Sequence, residues 1–203
     1  MNKSAPDLVE CVPNFSEGRN RSVIDSIADA IESVEGVRVL HVDSGESANR
    51  TVVTFAGEPE AVEEAAYQGI ARAADAIDMR NHSGAHPRIG ATDVCPFVPI
   101  GNTSMDDCIA VAEQVGTRVG QELAIPVYLY AEAARHEGRR SLPVIRRGEY
   151  EGLADKMLQT EFAPDFGPVT FNAKSGATAD RRKAERVDGT SPRSRSTSPA
   201  SCV

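Results

Sequence analysis

Apolar residues recur along this chain with two different periods, and the switching between them outlines a fold. "LVECVP" (residues 8–13) alternates apolar and polar positions and reads as a strand closed by Pro13. "RSVIDSIADAIESVEG" (21–36) changes to helical spacing, with Ile24, Ile27, Ile31 and Val34 on one face and Gly36 as the stop. "VRVLHVD" (37–43) and "RTVVTFAG" (50–57) return to strand character on either side of the turn-rich "SGESAN". "EPEAVEEAAYQGIARAADAID" (58–78) is a long helix with Pro59 near its start, where a missing N–H costs little. "TDVCPFVPI" (92–100) is extended, and its two prolines predict an edge or irregular strand. A helix over 104–123 with acidic residues in its first turn follows, then a strand over 125–133. Two shorter helical pieces lie around Leu142–Arg147 and Glu149–Leu158.

Up to residue 100 the order is βαββαβ, the ferredoxin-like arrangement. The predicted fold is therefore α+β: a ferredoxin-like βαββαβ sandwich extended by a further helix and strand, with helices over a mainly antiparallel sheet. Residues 1–179 form this unit, with no internal repeat. Residues 180–203 are basic and end in "SPRSRSTSPASCV", which is Ser/Pro/Arg-rich without a hydrophobic period. A disordered tail is expected there.

Composition narrows the classes. A chain of 203 residues with 40% hydrophobic content suits one domain of ordinary size. No apolar run approaches the roughly 20 residues of a membrane helix, and "MNKSAPDLVE" has no signal-peptide core. Cys11, Cys95, Cys108 and Cys202 make neither a CxxC pair nor a zinc spacing, so reduced thiols and a cytoplasmic location are expected. The net charge of −8 argues against general nucleic-acid binding. The body of the protein repels anions at long range, so an anionic substrate needs a local basic pocket.

"SGAHPRIGATDVCPF" (83–97) offers the sharpest candidate chemistry. An unperturbed imidazole such as His86 titrates near neutrality and can take and give a proton in one turnover. Gly84 and Gly90 let the chain turn, while Pro87 pushes His86 towards an extended conformation. Arg88 suits a bidentate carboxylate pair, and Asp93 could orient a neighbouring side chain. Taken alone, the same residues describe a surface loop with an incidental histidine. His82 and His86 are four apart, but Gly84 and Pro87 disfavour a helix and no third ligand has metal spacing, so no metal is expected. In "VPNFSEGRN" (12–20), Asn14, Ser16 and Glu17 could meet a ligand, while Ser16 or Asn20 could simply cap the next helix. "VDSGESANR" (42–50) sets Asp43 at a strand end, as a substrate contact or an Asx turn, and has Asn49 and Arg50 open the next strand. "FAPDFGPVTFNAKSGAT" (162–178) could clamp a flat ring or be an irregular connection. Arg139, Arg140, Arg146 and Arg147 are potential partners for carboxylates, and most of them are expected to be solvated.

Six segments in order, "VECVPNFSEGRN", "VDSGESANRTVVTFAG", "IDMRNHSGAHPRIGATDVCPFVPI", "IPVYLYAEAA", "RRSLPVIRRGEYEGL" and "APDFGPVTF", resemble the N-terminal subdomain of the glutamate formimidoyltransferase family over about residues 8–179. The resemblance implies transfer of a formimino group from N-formimino-L-glutamate to N5 of tetrahydrofolate in histidine degradation. Tetrahydrofolate is then the acceptor co-substrate, with no metal, nucleic acid or membrane involved, and a homodimer is implied. It makes His86 the acid/base. From position in the matching motifs, Asp43 is the expected assisting carboxylate and Arg88 the partner of an acidic substrate group. The folate stretch falls on Gly167, Pro168, Val169, Thr170, Phe171, Asn172, Ala173, Lys174, Ser175 and Gly176. In the family an apolar strand continues after "GATA" into a second subdomain, whereas here "DRRKAERVDG" turns polar. A truncated chain lacking the C-terminal subdomain, with reduced or no activity alone, is expected. The alternatives are a glutamate formyltransferase variant using the same acid/base, and a non-catalytic folate- or dicarboxylate-binding remnant.

Overall fold

The alternating segments pair into one seven-stranded sheet. The computed structural model describes residues 6–182. The chain runs β1 (Asp7–Cys11), β2 (Asn14–Phe15), α1 (Arg21–Glu32), β3 (Val37–Gly45), β4 (Arg50–Gly57), α2 (Pro59–Ala76), β5 (Thr92–Gly101), α3 (Met105–Glu122), β6 (Val127–Ala131), α4 (Leu142–Arg146), α5 (Leu153–Met157) and β7 (Thr178–Arg182). β1 and β2 share one lane between β4 and β5, and β3 flanks β4, all antiparallel. This is the ferredoxin-like order. β7 then lies parallel between β5 and β6.

β5 is an interior strand, which corrects the expectation drawn from its prolines. Cys11 faces Phe97 and Asn14 faces Val94. Pro96 therefore falls opposite the break between β1 and β2, where its carbonyl still accepts the Val12 N–H. Pro99 lies beyond the Val94–Phe97 span that pairs with β7. Neither proline interrupts a ladder bond that the sheet needs.

The helical stripe of α1 buries Ile24, Ile27 and Ile31, with Val34 packed at its margin. Asn20 caps the helix by accepting from the Ser22 and Val23 amides, so Ser16 is released from that role. α1, α2 and α3 lie side by side over one sheet face, against Val9, Phe15, Phe55 and Phe97. Fully burying a side chain of this size contributes on the order of 1.5–3 kcal/mol. On the opposite face, α4 and α5 put Ile145, Leu153 and Met157 over Val94, Tyr128, Tyr130 and Ala179. The outward residues of β4, among them Arg50, Val52 and Thr54, are only half-buried. Arg50 at the start of β4 and Arg146 at the end of α4 are near enough for the charge of Arg146 to act on Arg50.

β7 runs through Asp180–Arg182, three residues into the stretch expected to be a tail. The rest of that stretch, 183–203, lies outside the described residues, as does Cys202. Among the described residues, no helix is long and apolar enough to cross a membrane.

Candidate active site

The His86 loop is fixed by contacts from three other segments. Asn49, in the left-handed region at φ 49°, accepts the Gly18 N–H through Oδ1 and donates from Nδ2 to the Ser83 carbonyl. Its own carbonyl accepts from His82 Nε2 at 3.0 Å, while His82 Nδ1 accepts from Arg88 Nε at 3.1 Å. His82 is thereby locked in one tautomer as a strut. Gly84 presses on the Ala48 carbonyl and Asn49 Cβ so closely that no side chain fits there. Ser16 is buried, with its hydroxyl on the Gly90 carbonyl and its amide on the Ala91 carbonyl.

Gly90 is clamped from the far side by the Ser175–Ala177 backbone, which receives the Ala91 amide and sends the Ala177 amide to the Ile89 carbonyl. A Cβ on Gly90 would strike the carbonyl oxygens of both Ser175 and Ala177. Gly90→Ala is expected to cost on the order of 1–3 kcal/mol by overpacking. Urea denaturation reads this directly, and an unchanged midpoint would contradict the clamp.

His86 itself is 10% exposed at the side chain. Arg50 Nη1 donates to His86 Nε2 at 3.0 Å, so that nitrogen holds a lone pair and the neutral ring carries its proton on Nδ1. Arg50 Nη1 also donates to Asn14 Oδ1 at 3.0 Å. Asp93 Oδ2 stands 4.0 Å from His86 Nε2. Asp93 is fully buried, ion-paired with buried Arg146, and accepts the Ile89 N–H on Oδ1. Burial, then the charges of Arg50 and Arg146, lower the His86 pKa to about 4. In this state the ring is neutral at physiological pH, a departure from the near-neutral titration expected of it. Burial also pushes the Asp93 carboxyl up, against the opposing pull of Arg146. The ordinary guanidinium value is lowered at Arg50 by burial and by Arg146.

The other anticipated residues sit elsewhere in this framework. Asp43 is exposed on β3 and acts on Arg50 through space; among the described residues no hydrogen bond joins it to His86. Arg88 is buried and committed: Nη1 donates to Glu149 and Glu151, and Nη2 to Glu151 at 2.6 Å. It ties the 149–151 turn to His82 and has little left for a substrate. The second half of the Gly167–Gly176 stretch is also committed internally. Lys174 Nζ donates to the Asp75 carbonyl, Asn172 spans the Ala124 carbonyl and the Ser175 amide, and Tyr150 donates to the Ala173 carbonyl. Gly167, Pro168, Val169, Thr170 and Phe171 face outward to different degrees, with Val169 66% exposed and the Phe171 ring 5.4 Å from that of Tyr150. Arg139 and Asp165 form a buried pair that pins the start of this stretch to β6. No group of three or more His, Cys, Asp or Glu among the described residues is arranged to hold a metal.

Residues 8–180 match the formiminotransferase domain, N-terminal subdomain. The chain belongs to this family. It is 55% identical over 171 residues to the formimidoyltransferase-cyclodeaminase of Sus scrofa, covering 84% of this chain and 32% of that protein. It is 43% identical over 172 residues to the glutamate formimidoyltransferase of Streptococcus pyogenes serotype M1, covering 85% and 58%. The corresponding protein of Thermoplasma acidophilum is 49% identical over 173 residues, covering 84% and 57%. The chain thus spans about a third of the length of the fused animal relative and somewhat over half of the shorter enzymes. Of the two guanidiniums beside His86, sequence reasoning offered Arg146 only as one of four potential carboxylate partners and Arg50 only as the opening of a strand. The register that sets Asn14 opposite Val52 brings Arg50 to Asn14 and His86, and it is a long-range fact that the residues alone do not carry.

Proposed function

We propose that residues 8–180 form the acid–base part of a folate-dependent formimidoyltransferase. The reaction moves a formimino group from N-formimino-L-glutamate to N5 of tetrahydrofolate. The observation that carries this reading is His86, a half-buried neutral imidazole in one tautomer, set between Arg50 and the Asp93–Arg146 pair. The names of the Streptococcus and Thermoplasma relatives support glutamate as the donor's parent compound. Tetrahydrofolate supplies the nucleophilic N5, and everything else asked of this chain is binding and proton movement. The glutamate nitrogen needs a proton to leave, and a positioned imidazole can deliver the one released on attack. Asp93, 4.0 Å away, stabilises the imidazolium that forms in between. Exposed Val169, and Phe171 resting on Tyr150, suit a flat pteridine-like ring. Asp43 contributes at long range through Arg50, and Arg88 holds the loop that presents His86. A cytoplasmic enzyme working as a homodimer belongs to the same proposal.

A second reading, a dicarboxylate- or folate-binding unit without turnover, draws on one observation: His86 without ligand is a weak base, its pKa lowered to about 4, and carries no proton to give at physiological pH. A chimera decides between them. Residues 8–180 replace the corresponding segment of the Streptococcus pyogenes enzyme, and transfer to tetrahydrofolate is assayed. Turnover with N-formimino-L-glutamate is expected. Saturable folate binding with no turnover selects the second reading, and turnover with N-formyl-L-glutamate alone selects formyl transfer.

A further inference from the structure

Arg50 is the uncompensated cation of the site. Arg146 has Asp93, Arg88 has Glu149 and Glu151, and Arg139 has Asp165. Arg50 has no carboxylate in salt-bridge contact among the described residues, and both of its hydrogen-bond acceptors, Asn14 Oδ1 and His86 Nε2, are neutral. Both of those bonds leave from Nη1, so Nε and Nη2, one edge of the guanidinium fork, have no hydrogen-bond partner among the described residues. Beside it, Nε of Arg146 is buried without a hydrogen-bond partner, on a side chain more than nine-tenths buried. Two guanidiniums against one carboxylate leave this corner positive in a protein of net charge −8.

We propose that Arg50 is the anchor for a carboxylate of the donor substrate, and that its engagement there releases His86 Nε2 for proton transfer. The inference rests on the formimino-transfer reading for the identity of the donor, but not for the existence of an anion site. An Arg fork binds a carboxylate with two parallel hydrogen bonds, and the free edge of Arg50 presents two such donors. While Nη1–H points at Nε2, that nitrogen cannot accept a proton. A carboxylate that draws the guanidinium aside exposes Nε2 to Asp93 and adds a negative charge beside Arg50 and Arg146, the two cations that disfavour an imidazolium. The groups facing His86 are then Arg50 from β4, Asp93 from β5 and Arg146 from α4, with Asp43 of β3 acting on Arg50. Arg88 cannot serve in this way without surrendering Glu149 and Glu151.

Calorimetry on the full chain with N-formimino-L-glutamate, and separately with glutarate as a dicarboxylate lacking the reacting group, tests the anchor. Arg50→Met should weaken both by roughly 30-fold or more, the loss expected when one member of a hydrogen-bonded charge pair is removed. Arg50→Lys, which keeps the charge but not the fork, should recover part of the affinity. Arg140→Met, which removes an exposed cation paired with Glu132, should leave it within twofold. The same substitutions in the Streptococcus chimera read the donor KM. Equal affinity in wild type, Arg50→Met and Arg50→Lys, at whatever level, overturns the anchor. Loss of glutarate binding in Arg50→Met without transfer by the parent chimera keeps the anchor and removes the reaction. Transfer with an unchanged donor KM in Arg50→Met does the reverse.

Discussion

His86→Ala in the Streptococcus chimera is expected to lower single-turnover transfer by about 10²–10⁴-fold, the range typical of a general acid–base group. Folate affinity should stay near that of the parent. The expectation follows from the position of the ring. His86 bonds to Arg50 through Nε2 and lies 4.0 Å from Asp93, while its neighbour His82 is held on both nitrogens by Asn49 and Arg88. Only one of the two imidazoles is therefore placed to exchange a proton with a ligand. His82→Asn should act differently, by loosening the loop: a moderate loss of stability with most of the rate retained. A transfer rate within threefold of the parent for His86→Ala would remove the acid–base assignment.

The largest effect on stability is expected at Asp93. Asp93→Ala strips the partner from buried Arg146 and the acceptor from the Ile89 amide in one step. Removing one member of a buried ion pair leaves an uncompensated charge and costs about 3–5 kcal/mol. The double variant Asp93→Leu/Arg146→Met should recover much of that loss, because replacing both charges by apolar groups removes the desolvation penalty as well. Urea denaturation of the wild type, Asp93→Leu, Arg146→Met and the double variant gives the coupling directly. A single-variant loss below about 1 kcal/mol would mean that Arg146 finds water or another partner, and that the floor under His86 is not rigid.

What could be read from residues alone followed how local the cause was. The stripe Ile24–Ile27–Ile31 and the alternation of β4 are one-element patterns, and both are present as read. The loop of His86 was legible because Gly84, Pro87 and Gly90 constrain backbone geometry locally. Long-range facts were not. Pro96 looked like an edge signal because its missing donor is harmless only where Val12–Pro13 interrupts the neighbouring lane, 84 residues earlier. β7 was missed since "TADRR" has no apolar alternation; its place between two parallel strands supplies what its composition does not. Arg139 and Arg146 read as potential carboxylate partners within a mostly solvated charge run, but the residues alone did not show that both are buried or that their partners are aspartates 26 and 53 residues away. Arg50 drew attention only as the opening of a strand, because its bond to His86 depends on the pairing of β2 with β4.

The central claim is that His86 is a neutral imidazole held down by two guanidiniums until an anionic donor arrives. Nitrogen-15 NMR of the ring over pH 3–8 tests it on the unmodified chain. Without ligand the titration midpoint should lie near 4, with Nδ1 carrying the proton in the neutral form, and N-formimino-L-glutamate should move the midpoint upward. A midpoint near 6.5, the ordinary histidine value, that does not change when the donor is added would contradict the account.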